Sequence, residues 1–403
     1  MPRVLYVQYT NPAGYPPVEH GARLLADAGW DVLLLGIAIS DAALALGHHD
    51  RIRVKLRPPA GVGWRQKLHY AKFLAWAVAE AGRWRPDWIY ASDALSCPIA
   101  LVMATACGAR LVYHEHDSPD TETNQTVFMK AVLQARRRVA MRAALCVLPN
   151  ARRMEVFREG HPGSRSVTVW NCPSRQEAIH HQRPAPAASL RVLYHGSIVP
   201  GRLPTTVIEA LGLLPSTVTL SVVGYETVGF PGYVESLRRS ADAFAVASRV
   251  EFVGPLSRRE LMRHCAGCDA GLSLLPMAPT DLNEREMVGA SNKPFDYMAC
   301  GLALVVSDLP AWRTTFVDGG YALACNPGSA ESVAAALRHL LEEPALRRRM
   351  GDRGRQRILD DWNYERAFTP VLAVLNAGVE EIAGHVDGAH PATVQHVNTV
   401  VSK

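Results

Sequence analysis

Residues 289–310 read GASNKPFDYMACGLALVVSDLP. The stretch divides into a loop, a helix, a buried strand and a second loop. Ser291 and Asn292 are cap residues, and the helix they open carries Lys293 and Pro294 in its first turn. Proline is tolerated at a helix start because the N–H it lacks has no partner there anyway. Gly301 supplies the stop. Leu302 to Val306 is then unbroken apolar sequence, the pattern of a parallel strand covered on both faces. A helix start with free N–H groups and an adjacent lysine attracts anions. Asp296 lies at i+3 from Lys293, on the same face, where it can accept from hydroxyls of the same ligand. Phosphate together with sugar hydroxyls suggests a nucleotide or a nucleotide sugar. The competing reading is a capped surface helix whose Lys and Asp are solvated charge.

The rest of the chain bounds this reading. At 403 residues it is too long for one ordinary core, and two domains are expected. A hydrophobic content of 48% and a charged content of 20% describe a soluble globular protein. The net charge of +5 suits an anionic ligand or surface and does not imply nucleic acid binding. No apolar run reaches the ~20 residues that span a bilayer. MPRVLYVQY enters a strand directly, without the layout of a signal peptide, so a cytoplasmic location is expected. Eight cysteines sit mostly in apolar runs and read as reduced core residues. Cys265-x-x-Cys268 has no second pair to complete a structural zinc site.

Both halves alternate strands and helices, as parallel βαβ units of doubly wound sheets do. The first half runs from Arg3–Tyr9 to Val167–Asn171. The second starts afresh at Arg191–Gly196 and ends with Tyr321–Cys325, followed by helices. Residues 173–189 are rich in Pro and Ala and read as a linker. Ligands of such folds lie at the carboxyl ends of the strands. Four of those ends carry candidate chemistry. Asn11 to Pro17, with Gly14 inside, opens a helix after the first strand. His114-Glu115-His116-Asp117 is the most polar strand end, with both histidines on one side. His195 to Arg202 contains Gly196, Ser197 and Gly201. A P-loop would continue with Lys and Ser or Thr, and Arg202-Leu203 exclude it. Val222-Val223-Gly224 and Val253-Gly254-Pro255 end two later strands, where Gly permits close approach to a base or ribose. Leu261 follows in the next helix. No junction carries G-x-G-x-x-G, which argues against a nicotinamide dehydrogenase.

Asn292-Lys293-Pro294-Phe295-Asp296-Tyr297-Met298-Ala299-Cys300-Gly301 resembles the N-K-x-F-E-Y-M-A-x-G segment of family-4 retaining glycosyltransferases. Gly201-Arg202 resembles that family's G-R loop, and Tyr113 to Asp117 its Y-D-x-H-E stretch. The resemblance covers Arg3 to about Leu375. It implies the GT-B fold, two Rossmann-like α/β domains facing across a cleft, with a C-terminal helix crossing back to the first. The expected division is an acceptor domain over 1–180, a donor domain over 190–360, a crossover helix over 361–380 and a mobile tail over 385–403.

By the same resemblance, Arg202 and Lys293 grip the donor diphosphate and His116 sits beside the reacting sugar, with His114 as second choice. Gly196 and Ser197, in the loop that ends at Arg202, also bind the donor, and the base and ribose fall to Gly224, Val253, Gly254 and Leu261. Ser291, Asn292 and Asp296 hold phosphate and hydroxyls, and Gly14 approaches from the other domain. The family carries a glutamate seven positions before Asp296 as well, and here that place is Gly289. Backbone amides of Gly289 to Ser291 would contact the sugar instead. The implied activity is hexosyl transfer from a nucleoside-diphosphate sugar, UDP- or GDP-linked, to a glycan, lipid-linked or small acceptor. It proceeds with retention, and with no cofactor or metal, since no Asp-x-Asp pair is present. Arg136, Arg137 and Arg138, with the basic aromatic run from Trp64, suit an anionic membrane surface at the inner face or, equally, a solvated helix face. Two other readings fit the same pattern: a nucleotide-sugar 2-epimerase and a non-catalytic nucleotide-sugar sensor.

Overall fold

The computed structural model describes residues 1–38, 46–61, 63–119, 126–178 and 189–387. The first sheet contains β1 (Arg3–Gln8), β2 (Asp31–Ile37), β3 (Ile52–Arg57), β4 (Trp88–Ser92), β5 (Arg110–His114), β6 (Leu145–Leu148) and β7 (Ser166–Thr168). Its helices are α1 (Pro16–Asp27), α2 (Trp64–Trp84), α3 (Cys97–Cys107), α4 (Val127–Arg142) and α5 (Ala151–Gly160). The strand order is β3-β2-β1-β4-β5-β6-β7, and every pairing is parallel. The order reverses between β1 and β4, which opens a crevice at their carboxyl ends.

The second sheet is built from β8 (Leu190–Ile198), β9 (Val218–Glu226), β10 (Val250–Gly254), β11 (Ala270–Ser273), β12 (Ala303–Ser307) and β13 (Ala322–Cys325). Its order is β10-β9-β8-β11-β12-β13, again parallel. Around it lie α6 (Thr206–Gly212), α7 (Tyr233–Ala243), α8 (Arg258–Ala266), α9 (Leu282–Arg285), α10 (Lys293–Ala299), α11 (Pro310–Trp312), α12 (Ala330–Glu342) and α13 (Pro344–Asp360). The last helix, α14 (Tyr364–Asp387), leaves this domain.

Strand sequence explains the layering. In β1, Leu5 and Val7 enter a core shared with α2 and α3, while Val4 and Tyr6 enter one shared with α1 and α14. Both faces are covered, so the strand is apolar throughout. Tyr364, Phe368, Val371 and Leu375 recur at helical spacing and enter the second of these cores. Asn376 accepts from Trp30 Nε1 at 3.3 Å, so α14 belongs to the first domain's packing.

Three local features differ from the sequence reading. Strands β8 and β9 continue past Gly196 and Gly224, which are paired partners, so Ser197 is a strand residue and not loop. A Cβ on Gly224 would lie 1.9 Å from the Gly196 carbonyl oxygen, and only glycine fits. Helix α10 is no surface helix, because every residue from Lys293 to Ala299 is buried. Tyr297 fixes its depth: its hydroxyl accepts from His195 N at 3.0 Å and donates to Leu272 O at 3.2 Å. Of the linker, residues 179–188 lie outside the described residues, as does the tail from 388 onward. The described part of the linker holds a turn of 3-10 helix, Arg175–Glu177.

Candidate active site

The carboxyl ends of both sheets face one cavity of about 470 Å³. The first domain lines it with Gly14, Tyr15, His116 and Asp117. The second domain contributes Gly196, Ser197, Arg202, Gly224 and Leu261, and the approach to α10 adds Ser291, Asn292, Lys293 and Asp296. Val253 and Gly254 are not on its wall; the next residues, Pro255 and Leu256, are. His114 is also off the wall.

Lys293 is the most unusual cation here. It is only 9% exposed, and its chain lies over bare Gly196, where a Cβ would sit 3.1 Å from Nζ. Nζ is 5.6 Å from the centre of the Tyr194 ring. Burial and the positive charge of Arg202 push its ammonium down to about 7, against a smaller opposite pull from Asp296. Arg202 sits on the turn after β8, where its N–H donates to Val199 O at 3.0 Å. A cavity lined by two cations, one of them destabilised by the other, is complementary to a polyanion.

Asp296 does not have a free carboxylate. Arg258, the first residue of α8, holds it by two bonds of 2.7 Å, Nη1 to Oδ2 and Nη2 to Oδ1. His195 Nε2 lies 3.3 Å from Oδ2. Burial alone would raise the Asp296 carboxyl; Arg258 outweighs it and holds it below the usual range. The other edge of Arg258 binds Glu177 of the linker at 2.7 and 3.0 Å. Glu177 in turn lies 2.8 Å from His20 Nε2 in α1. Asp296 therefore begins a buried ionic chain that ends in the first domain, and each of its oxygens already accepts from Arg258.

Across the cavity, His116 is 4% exposed. Its Nε2 meets Ser92 Oγ at 2.9 Å, and Nδ1 has no protein partner. Burial takes its pKa down to about 3, so the ring is neutral. His114 lies against it, 4.0 Å between ring centres and tilted by 36°, and its Nδ1 bonds the Tyr90 hydroxyl at 2.9 Å. His114 thus backs His116 and does not face a ligand. Tyr15 approaches His116 from the other side at 5.3 Å. Asp93 supports the same loop, accepting from His116 N at 2.9 Å with its own φ at +66°. Burial, with Asp117 nearby, raises the Asp93 carboxyl to about 8.

Gly289 has no room for a side chain. Its φ is +82°, and a Cβ would meet the Pro149 carbonyl oxygen and the Trp170 ring at 2.8 Å. The next amides do not face the cavity as free donors, since those of Ala290 and Ser291 both donate to Met287 O at 3.0 Å. Arg136 is not a surface cation: it binds Glu115 at 2.6 and 2.9 Å, whereas Arg137 and Arg138 are exposed. Cys265 and Cys268 are buried and in no disulfide, and no cluster of three metal-binding side chains occurs among the described residues.

Arg258, Glu177 and Asp93 escape the sequence reading. Arg258 stands in an Arg-Arg pair that looks like solvated helix charge, and Glu177 in a polar linker. Asp93 carries a signal, because Ser92-Asp93 is a polar pair at the carboxyl end of a parallel strand.

Residues 207–373 match the family model described as "Glycosyl transferase-like". Among curated proteins, a glycogen synthase from Mycobacterium tuberculosis is 26% identical over 129 residues, 32% of this chain and 29% of that protein. The match thus spans under a third of that relative's length. Two solved structures superpose over nearly the whole chain. Sucrose-phosphate synthase from Thermosynechococcus elongatus gives a TM-score of 0.67 at 16% identity, covering 97% of this chain and 100% of its own. Anabaena Alr3699/HepE in complex with UDP and glucose gives 0.67 at 17% identity, covering 96% and 100%. At such identities the likeness speaks for the fold. The fold is that of the GT-B glycosyltransferases, and residues 207–373, most of the second domain and the start of α14, are glycosyl transferase-like in sequence.

Proposed function

We propose that this protein transfers a hexose from a nucleoside-diphosphate sugar to an acceptor, with retention and without a metal ion. The observation that carries the reading is the pairing of Arg202 with the destabilised Lys293 on one wall of the interdomain cavity, facing His116 on the other. Breaking the bond between sugar and diphosphate leaves negative charge on the outer phosphate. Arg202 binds two of its oxygens at once and Lys293 supplies a point charge. In a site closed from water such groups stabilise the departing anion far more than they would in bulk. His116, neutral and with Nδ1 unpartnered, accepts from or donates to a sugar hydroxyl beside the reacting carbon. Pro255, Leu256 and Leu261 offer the base an apolar bed.

HepE binds UDP-glucose, which makes UDP-sugars the first donors to try. The deciding experiment is a thermal-shift screen with UDP-, GDP-, ADP- and dTDP-sugars, followed by product analysis with and without acceptor mixtures. A ligand at 100 times its Kd adds ~2.7 kcal/mol of stability, which such a screen detects. Sugar appearing on an acceptor supports transfer. An epimer formed from the nucleotide sugar alone, or binding without turnover, overturns it.

The acceptor reaches the cavity from the first domain. At that domain's cleft end, Trp64 is 71% and Val127 86% exposed, among exposed Arg65, Lys67 and Lys130. An apolar and basic rim of this kind suits an anionic lipid surface carrying the acceptor. Flotation with anionic and neutral vesicles tests it: binding to the anionic vesicles alone is expected, lost on charge reversal of Arg65 and Lys67.

A further inference from the structure

Arg153 is unlike two other largely enclosed arginines, Arg136 and Arg258. Arg136 and Arg258 are each held by carboxylates. Arg153, in the first turn of α5, is fully buried yet touches no carboxylate within hydrogen-bonding distance; Asp117, largely exposed, is 3.9 Å away. Its Nη1 donates to the carbonyl of His116 at 2.9 Å and its Nη2 to the carbonyl of Asn283 at 2.8 Å. Its Nε has no partner. One acceptor belongs to the first domain and the other to the second.

The surrounding bonds follow the same path. Asn283 pairs with the backbone of Ser118 in both directions, Oδ1 from N and Nδ2 to O, each 2.9 Å. Asn150 caps α5 by accepting from Arg153 N at 2.9 Å and reaches over with Nδ2 to the carbonyls of Glu286 and Val288, both 2.8 Å. Asn171 donates to Gly289 O at 2.7 Å and to Ala290 O at 2.6 Å. Segment 283–290 of the second domain is thus fastened to the first, and it runs directly into Ser291 and Lys293.

We propose that Arg153 is a positioning residue. It ties the backbone of His116 to that of Asn283, so that closing the cleft and placing the imidazole over the diphosphate site are one event. This rests on the transferase reading above. A charged side chain suits the task because guanidinium to carbonyl bonds are stronger than neutral ones and fixed in direction. Nucleotide alone would be gripped by the second domain, so its binding would depend little on Arg153.

The test uses the full chain with Arg153→Gln, Arg153→Lys and Asn283→Ala. For Arg153→Gln we expect kcat to fall ~100-fold, the loss typical of a reacting group misplaced by about an ångström, while UDP affinity stays within about threefold. Arg153→Lys recovers part of kcat, and Asn283→Ala, which removes no charge, shows a smaller loss of the same kind. Unchanged kcat in Arg153→Gln, or UDP affinity falling in step with kcat across all three, overturns the proposal. Should the wild-type protein transfer no sugar, the transferase reading fails by itself. Amide exchange then reads the link: Arg153→Gln speeds exchange at 116–118 and 283–290 together if the proposal holds, and at one segment only if it does not.

Discussion

Arg258 closes on both oxygens of Asp296 at 2.7 Å, and its other edge holds Glu177. The carboxylate at the heart of α10 is thus structural before it is anything else. Removing one partner of a buried ion pair strands the other charge and costs about 3–5 kcal/mol. Asp296→Ala and Arg258→Met are each expected to lower the unfolding free energy by roughly that amount in urea titrations. Relative to Arg258→Met alone, the double variant should recover part of the loss, since Asp296 is no longer stranded and only Glu177 is left without its arginine. A change in donor KM with unaltered stability would contradict this arrangement.

If Lys293 grips the donor as proposed, donor binding should be sensitive to pH. Its ammonium is held at about 7 in the free protein, below its usual value. A bound diphosphate favours the charged form, so binding near pH 8 should take up close to one proton. Calorimetry in buffers of different ionisation enthalpy measures that uptake, and Lys293→Met should abolish it. For the unliganded protein the sign is the reverse. A lowered folded-state value gives stability that is present above the unfolded value and lost as the pH falls through the range down to about 7.

Arg202→Ala should leave folding intact, because the residue is only half-buried and packs at a turn. Its turnover with a sugar donor should drop on the order of 100- to 1,000-fold, as when one preorganised donor is taken from a developing anion. Melting temperature and steady-state rate measured together separate this from misfolding. A chelator should leave the wild-type rate unchanged.

His116 and His114 are both held neutral by burial, His116 down to about 3. Each contributes stability that is complete above the unfolded value near 6.5 and lost as the pH falls below it. The double variant His114→Gln/His116→Gln should therefore flatten the fall in stability between pH 6.5 and pH 4, followed by urea unfolding at each pH. His116→Ala alone should depress kcat more than it raises donor KM.

Local patterns carried much of this molecule. Unbroken apolar runs such as Leu302 to Val306 announce parallel strands, because a strand buried on both faces has no polar side to show. The Lys293–Gly301 segment and Gly201-Arg202 mark the cation pair because each is a short-range motif whose geometry is set within a turn or two. Partnership between distant charges leaves no such trace. Arg258 stands 38 residues from Asp296 and 81 from Glu177, and nothing in local sequence orders those three into a chain. The same holds for Arg136, which the helical pattern leaves looking like surface charge and which Glu115 draws inward. Gly289, read as a missing carboxylate, is closed by Pro149 and Trp170 of the other domain. Sequence alone marked the elements and the two cations, Arg202 and Lys293. Which carboxylates remain free for a ligand was decided only when the two sheets met, because charge pairing in a buried interface depends on distances that neither half contains by itself.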